Sequence, residues 1–201
     1  MVILAAGLGT RLGHLSNDLP KCLMPINGVP ILATWLDNVF NSDFFNECFV
    51  NTHYQAPMVN DFLDNHSYSK SITRVPEPEL LGTAGTLKML AQRYPNDDWL
   101  VIHCDNFSSL HVEHFVDFHA SGSAPVSIGA FECPDPTMCG ILELDDAGVL
   151  VDLYEKQSDP PPGLANAGIY YFSAYALYEL SQFPLCHDIA RDVLPKFLGR
   201  A

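Results

Sequence analysis

One pattern constrains the fold of this chain more than any other: short apolar runs alternate with segments of helical spacing through the first 120 residues. Val2-Ile3-Leu4-Ala5, Cys48-Phe49-Val50-Asn51, Ile72-Thr73-Arg74-Val75 and Trp99-Leu100-Val101-Ile102-His103 have the length of strands rather than helices. A loop runs from Gly7 to Ser16 after the first of them. Pro30 then opens a helix in which Ile31, Leu32, Trp35, Leu36, Val39 and Phe40 recur at helical spacing. Further helices are expected at 57–65, starting at Pro57, at 83–93, with Leu87, Leu90 and Ala91 on one face, and at about 111–120. Strands joined by helical crossovers form a parallel sheet. Ligands of such sheets bind beyond the carboxyl ends of the strands, where the loop after residue 5 and the loop carrying Asp105 both belong.

The remainder is richer in strands. Residues 125–132, 139–144, 149–154 and 167–172 read as extended, with Asp145-Asp146-Ala147-Gly148 as a hairpin turn between two of them. Helices at about 174–182 and 187–198 follow. Pro160-Pro161-Pro162-Gly163 is a local loop and not a linker, so a single α/β domain over 1–201 is expected, divided into halves of about 1–120 and 121–201.

Composition narrows the class. With 48% hydrophobic and 17% charged residues, the chain has the make-up of a packed domain and not of a disordered one. A net charge of −14 argues against nucleic-acid polymers and anionic membranes as partners. A small anion needs only a local cluster of cations and backbone N–H groups. No apolar run approaches the roughly 20 residues that span a bilayer. The opening Met1-Val2-Ile3-Leu4-Ala5-Ala6-Gly7 lacks the basic region of a secretory signal, so a cytoplasmic protein is expected. None of the six cysteines is spaced as CxxC, and they read as reduced and mostly buried thiols. His111, His114 and His119 read as a surface face and not as a metal site.

The chemistry concentrates in Leu4-Ala5-Ala6-Gly7-Leu8-Gly9-Thr10-Arg11-Leu12, followed by Pro20-Lys21 and Pro25. Gly7 and Gly9 carry no side chain, so backbone N–H groups can approach phosphate oxygens. Arg11 offers a planar fork suited to polyphosphate, and Lys21 a mobile point charge. The dinucleotide fingerprint GxGxxG fails because the third glycine, Gly13, comes one residue late, and GxxxxGK[ST] is absent. A nicotinamide-dependent oxidoreductase is thereby set aside.

These residues, with others further on, resemble the sugar-1-phosphate nucleotidyltransferases, and most of all the mannose-1-phosphate and heptose-1-phosphate guanylyltransferase branch. Asn51-Thr52-His53-Tyr54 is similar to that family's segment after the second strand. Glu77 with Leu81-Gly82-Thr83-Ala84-Gly85 matches its E…LGTAG nucleotide element, and Cys104-Asp105-Asn106 stands where it has Gly-Asp. Cys139-Gly140-Ile141, Glu155-Lys156 and Asn166-Ala167-Gly168-Ile169-Tyr170 match its sugar-side elements in order. The resemblance implies a Rossmann-like, mostly parallel central sheet flanked by helices, of the glycosyltransferase-A-like kind, with a nucleotide-binding first half and a strand-rich sugar-binding second half.

It implies roles as well. A sugar 1-phosphate would attack the α-phosphorus of a nucleoside triphosphate in line, releasing pyrophosphate. Arg11 would bind the β and γ phosphates, Lys21 the reacting phosphates, and Asp105 a Mg²⁺ ion, a hard cation content with one or two carboxylates plus phosphate oxygens. Leu4, Ala5, Ala6, Gly7, Gly9 and Thr10, with Gly82, Thr83 and Ala84, would lie against the nucleotide; Thr83 also reads as a helix cap. Glu77 only accepts hydrogen bonds and so suits the N1–H and amine edge of guanine, favouring GTP; an exposed loop carboxylate is the alternative. Asn106, Gly140, Glu155, Lys156 and Asn166 would line the sugar site. The family's second metal-binding Asp, in a D-[IV]-G segment after the last helices, has no counterpart in the 201 residues, and Asp188 and Asp192 are not assigned its role. Uridylyl or thymidylyl transfer to another sugar, and a catalytically weak sugar-nucleotide sensor, stay open as alternatives. Oligomeric state is open too, since the apolar residues near 167–180 could pack internally or against a second copy.

Overall fold

The computed structural model describes residues 1–10 and 18–201. They fall into two compact units: Met1–Leu80 with Val101–Phe115, and Leu81–Leu100 with Val116–Ala201.

The first unit is built on parallel strands in the order β5-β4-β1-β6. β1 (Val2–Leu4) is followed by a two-residue hairpin, β2 (Pro25–Ile26) and β3 (Val29–Pro30), then α1 (Ile31–Phe40), β4 (Cys48–Thr52), α2 (Ala56–Asp64), β5 (Ile72–Pro76) and the part of β6 (Trp99–His103) from Val101 on. Val2, Ile3 and Leu4 pair with Phe49, Val50 and Asn51 on one side and with Val101, Ile102 and His103 on the other. β1 is therefore central and apolar on both faces, as parallel strands covered by helices are. α1 buries Ile31, Leu32, Trp35, Leu36 and Val39 of the stripe its spacing predicts, together with Ala33, whereas Phe40 is only half-buried. The hairpin before it is new. Asn27 (φ 51°) and Gly28 (φ 82°) both take left-handed backbone, the requirement of a tight hairpin that Asn-Gly satisfies best.

The second unit contains α3 (Gly82–Arg93), most of α4 (Val112–Ser121), β7 (Val126–Phe131), β8 (Gly140–Leu144), β9 (Leu150–Glu155), β10 (Leu164–Phe172) and α5 (Ala174–Gln182). Its strands pair antiparallel: β10 with both β7 and β8, and β8 with β9. The predicted turn at 145–148 joins β8 to β9, with the Asp145 carboxylate accepting from the N–H groups of Ala147 and Val149. β10 begins at Leu164, earlier than its apolar pattern suggests, and bulges between Asn166 and Tyr170. The helix expected at 187–198 is not continuous. A π-helical turn (Ile189–Val193) gives way to a 3-10 turn (Leu194–Lys196). Pro195 supplies no N–H for the preceding turn, which stops an α-helix there.

Of the apolar residues near 167–180, Ile169, Tyr170, Phe172, Ala176, Leu177 and Leu180 are buried, whereas Tyr175 and Tyr178 are exposed. All six cysteines are free thiols, and Cys22, Cys48, Cys104 and Cys186 are buried. Cys133 and Cys139 face each other with sulfurs 2.9 Å apart. Burial, then the hydrogen bond to Cys133, pushes the Cys139 thiol up to about 11. His111 and His114 are exposed, but His119 is held 2.9 Å from the Ser127 hydroxyl. No helix among the described residues is long and apolar enough to cross a membrane.

Candidate active site

The glycine-rich loop leaves β1 at the carboxyl edge of the parallel strands. The pairing of Leu4 with Asn51 sets the Asn51 side chain beside the start of that loop. Its Oδ1 accepts from the N–H groups of Ala5 at 2.6 Å and Ala6 at 3.2 Å. Beyond these buried alanines the chain opens to solvent. A Cβ on exposed Gly7 would meet nothing within 4 Å. Gly9 takes a φ of 66°, where an L side chain is strained. Thr10 is exposed, and Arg11 lies outside the described residues.

Glu77 is tied to the same network. Asn51 Nδ2 donates to Glu77 Oε1 at 2.8 Å, the Glu77 N–H donates to the Thr52 carbonyl at 2.9 Å, and His53 Nδ1 donates to the Glu77 carbonyl at 2.7 Å. The residue is 4% exposed, which removes the reading of a solvated loop carboxylate. Buried carboxylates persist where hydrogen bonds replace their water.

Lys21 begins a 3-10 turn (Lys21–Leu23) anchored by buried Cys22 and Leu23. Asp105 follows β6, and the Cys104 N–H donates to the Leu4 carbonyl at 3.1 Å, carrying the β1–β6 pairing past the strand end. Asn106 is fixed through its backbone: its N–H donates to the His103 carbonyl, and its own carbonyl accepts from the Trp35 indole at 2.8 Å. This brings Lys21 and Asp105 together, with the ammonium donating to Asp105 Oδ2. Their side chains are 31% and 41% exposed, so the pair is open to a ligand. Burial acts to raise the Asp105 carboxyl, but the Lys21 hydrogen bond and charge, with His103 adding to them, hold it below its usual range.

The second unit carries the other predicted residues. Gly82 (φ 77°) opens α3 where a Cβ would lie 2.2 Å from the His187 carbonyl oxygen, so only glycine fits. Thr83 is not the helix cap, because Leu81 takes that position. Its hydroxyl accepts from the Ile189 N–H at 2.9 Å, and the Ala84 N–H donates to the His187 carbonyl at 3.1 Å. Asp188 and Asp192 serve the same segment: Asp188 accepts from Arg191 N–H, and Asp192 from the N–H groups of His187 and Asp188.

Gly140 lies opposite Glu155 in the β8–β9 pair, and a Cβ there would fall 2.5 Å from Glu155 Oε2. Lys156 (φ 50°) donates its N–H to the Cys139 carbonyl and sets its ammonium 3.2 Å from Glu155 Oε1. Gly140, Glu155 and Lys156 thus form one cluster. Asn166 is committed to the β10 bulge: its Oδ1 accepts from Gly168 N–H, and its Nδ2 donates to the buried Tyr170 hydroxyl at 3.0 Å.

The model of the family described as nucleotidyl transferase matches residues 1–201. The chain belongs to the nucleotidyl transferase family. A Sulfolobus acidocaldarius protein, provisionally named a mannose-1-phosphate guanyltransferase, is 31% identical over 98% of this chain and 54% of its own length. The mannose-1-phosphate guanylyltransferase of Mycobacterium tuberculosis is 29% identical over 98% of this chain and 55% of its own. The chain therefore spans about half the length of these relatives. The crystal structure of HddC from Yersinia pseudotuberculosis complexed with GMP-PN is 28% identical, with a TM-score of 0.79 over 98% of this chain and 85% of that one.

Within the network around Ala5, Ala6 and Glu77, Asn51 makes three side-chain hydrogen bonds although sequence reasoning gave it no role. A signal was present: an amide inside an otherwise apolar buried strand requires partners of its own.

Proposed function

We propose that this chain transfers a guanylyl group from GTP to a sugar 1-phosphate, forming a GDP-sugar and pyrophosphate. The observation that carries the reading is the open Lys21–Asp105 pair at the carboxyl edge of β1 and β6, beside a glycine loop whose first N–H groups are fixed by Asn51.

The chemistry asks little of acid–base groups. A phosphate monoester is mostly dianionic at neutral pH, its second pKa lying near 6. Its oxygen forms a bond to the α-phosphorus, the α–β bridging P–O bond breaks, and the electron pair leaves with pyrophosphate. The protein's task is to align two anions and offset their charge. Arg11 binds the β and γ phosphates, and Lys21 follows the reacting ones. Leu4, Ala5, Ala6, Gly7, Gly9 and Thr10 supply close backbone around the triphosphate, and Glu77 accepts from guanine. Gly82, Thr83 and Ala84 give small-residue backbone to the nucleotide. Asn106, Gly140, Glu155, Lys156 and Asn166 receive the sugar phosphate; all but Asn106 fall in 121–201, the half expected to bind the sugar.

Mg²⁺ fits this donor set. No cluster of three His, Cys, Asp or Glu occurs among the described residues, and a hard cation that keeps phosphate and water ligands needs only one or two carboxylates. Asp105 would hold it, and the bound ion would neutralise triphosphate charge. A protein using nucleoside triphosphates and sugar phosphates belongs in the cytoplasm.

The test is pyrophosphate release with Mg²⁺ from every pairing of nucleoside triphosphates with a panel of sugar 1-phosphates. Release with GTP and one sugar, lowered roughly 10²–10³-fold by Asp105→Ala, is expected. Equal release with UTP would overturn the guanine assignment, and no release from any pair would overturn the activity.

A further inference from the structure

The buried amide of Asn51 does two jobs at once. Its oxygen accepts from the N–H groups of Ala5 and Ala6, 46 and 45 residues away, and its nitrogen donates to Glu77 Oε1, 26 residues away in the other direction. The residue is 4% exposed and sits at the last β1–β4 register position. A carboxamide is the side chain that suits both neighbours together. An ionised acid would oppose Glu77, and an alcohol has a single polar atom where the two sides are met here by a separate oxygen and nitrogen. Because its amide cannot turn over without losing all three bonds, the setting of the glycine loop and the setting of Glu77 are linked.

We infer that Asn51 is a positioning residue for nucleotide selection, fixing the entrance of the triphosphate loop and the Glu77 carboxylate as one unit. This rests on the nucleotide-binding reading above but adds a coupling that the reading does not contain. A triphosphate bound against the backbone of Ala5 and Ala6 is then linked to the base-facing acid. Nucleotide discrimination therefore depends on a residue that touches neither base nor phosphate.

Three proteins test it by calorimetric titration with GTP and UTP: the wild type, Asn51→Asp, and Asn51→Asp combined with Glu77→Gln. Asn51→Asp keeps the acceptor for Ala5 and Ala6 but sets two buried carboxyl groups within hydrogen-bond distance, which cannot both ionise. A proton shared by the pair imitates the amide, so affinity for both nucleotides is expected to fall at least about tenfold as pH is raised and that proton is lost. The double variant restores one carboxylate and one carboxamide in reversed order. It should recover triphosphate affinity for both nucleotides but not the preference for GTP, because the acid at 77 is gone. A merely structural role would restore both or neither. Affinity in folded Asn51→Asp that matches the wild type across the whole range from about pH 6 to about pH 10, or full recovery of GTP preference in the double variant, overturns the inference.

Should Asn51→Asp not fold, near-isosteric Glu77→Gln carries the test by amide NMR. Displaced Ala5 and Ala6 resonances support the coupling, and displacement confined to residues around 51–53 and 77 overturns it. Wild-type protein that binds GTP and UTP equally would refute the guanine assignment alone, since loss of triphosphate affinity in Asn51→Asp would still report the link to the loop.

Discussion

The candidate residues of the two units are held by different means. In the first unit, polar side chains reach across long stretches of chain, Lys21 to Asp105 over 84 residues and Asn51 to Ala5 over 46, and parallel strands supply a common edge where they meet. In the second, backbone shape does most of the holding. Gly140 leaves room for the Glu155 carboxylate, Lys156 turns through a left-handed φ, and Gly168 (φ 67°) shapes the β10 bulge around Asn166. The contrast follows the ligands proposed for each. Phosphates are recognised by charge, which acts over several ångströms, whereas sugar hydroxyls demand donors and acceptors at hydrogen-bond distance.

The sharpest way to break this comparison is to remove charge from the first unit. Lys21→Ala or Asp105→Ala should lower kcat for pyrophosphate release by roughly 10²–10³-fold, the scale of losing one electrostatic contact to a transition state. Glu155→Ala should act mainly on KM for the sugar 1-phosphate. Equal kcat losses at Glu155 and Lys21 in steady-state kinetics would erase the distinction.

Shape can be tested with two glycines. Gly82→Ala must move the His187 carbonyl and adopt a left-handed φ, so it should cost about 2–3 kcal/mol in urea unfolding. Gly7→Ala meets nothing within 4 Å and lacks a left-handed φ. It should change stability by no more than about 0.5 kcal/mol. A larger loss at Gly7 would mean that its openness is not what the fold requires of it.

These positions also mark what the sequence could convey. The strand–helix alternation identified β1, β4, β5 and β6 within a residue or so, because a buried parallel sheet leaves a dense apolar signature. Asp105 and Lys21 each receive a role through the family resemblance, since both flank recognisable motifs, but their contact with each other is visible only in the structure. Asn51 had no role assigned because its partners are set by register, which is a property of strand pairing and not of local composition. The break at 187–198 is written in Pro195, which cannot donate to a continuing helix. Thr83 looked like a cap by residue type, yet its hydroxyl serves Ile189, over 100 residues later, a tertiary contact that no local rule anticipates.

A smaller effect is expected at Gly140. The atom facing a new Cβ is the far end of the Glu155 side chain, which can swing aside. Gly140→Ala should therefore cost only about 1 kcal/mol in stability. Displacing Glu155 should still raise KM for the sugar 1-phosphate severalfold, about what weakening one hydrogen bond brings, with KM for GTP unchanged. A change confined to GTP would assign Gly140 to the wrong substrate.

The smallest expected effect lies in the acid dependence of stability at Asp105. Its carboxyl is held below the ordinary value of 3.8 in the folded protein, burial being outweighed by Lys21 and His103. The unfolded chain therefore binds the proton more readily. The pair's contribution is present above the unfolded value and is lost as pH falls through the folded one. Because the Asp105 side chain is 41% exposed, solvent screens much of the pairing and the slope is shallow. Melting temperatures of wild type and Asp105→Asn, followed from pH 6 downward, should converge below the ordinary carboxylate range as the wild type takes up its proton. Parallel curves would mean that Lys21 adds nothing to the fold at this point, leaving the pair free to be parted by a cation and a triphosphate at no cost to stability.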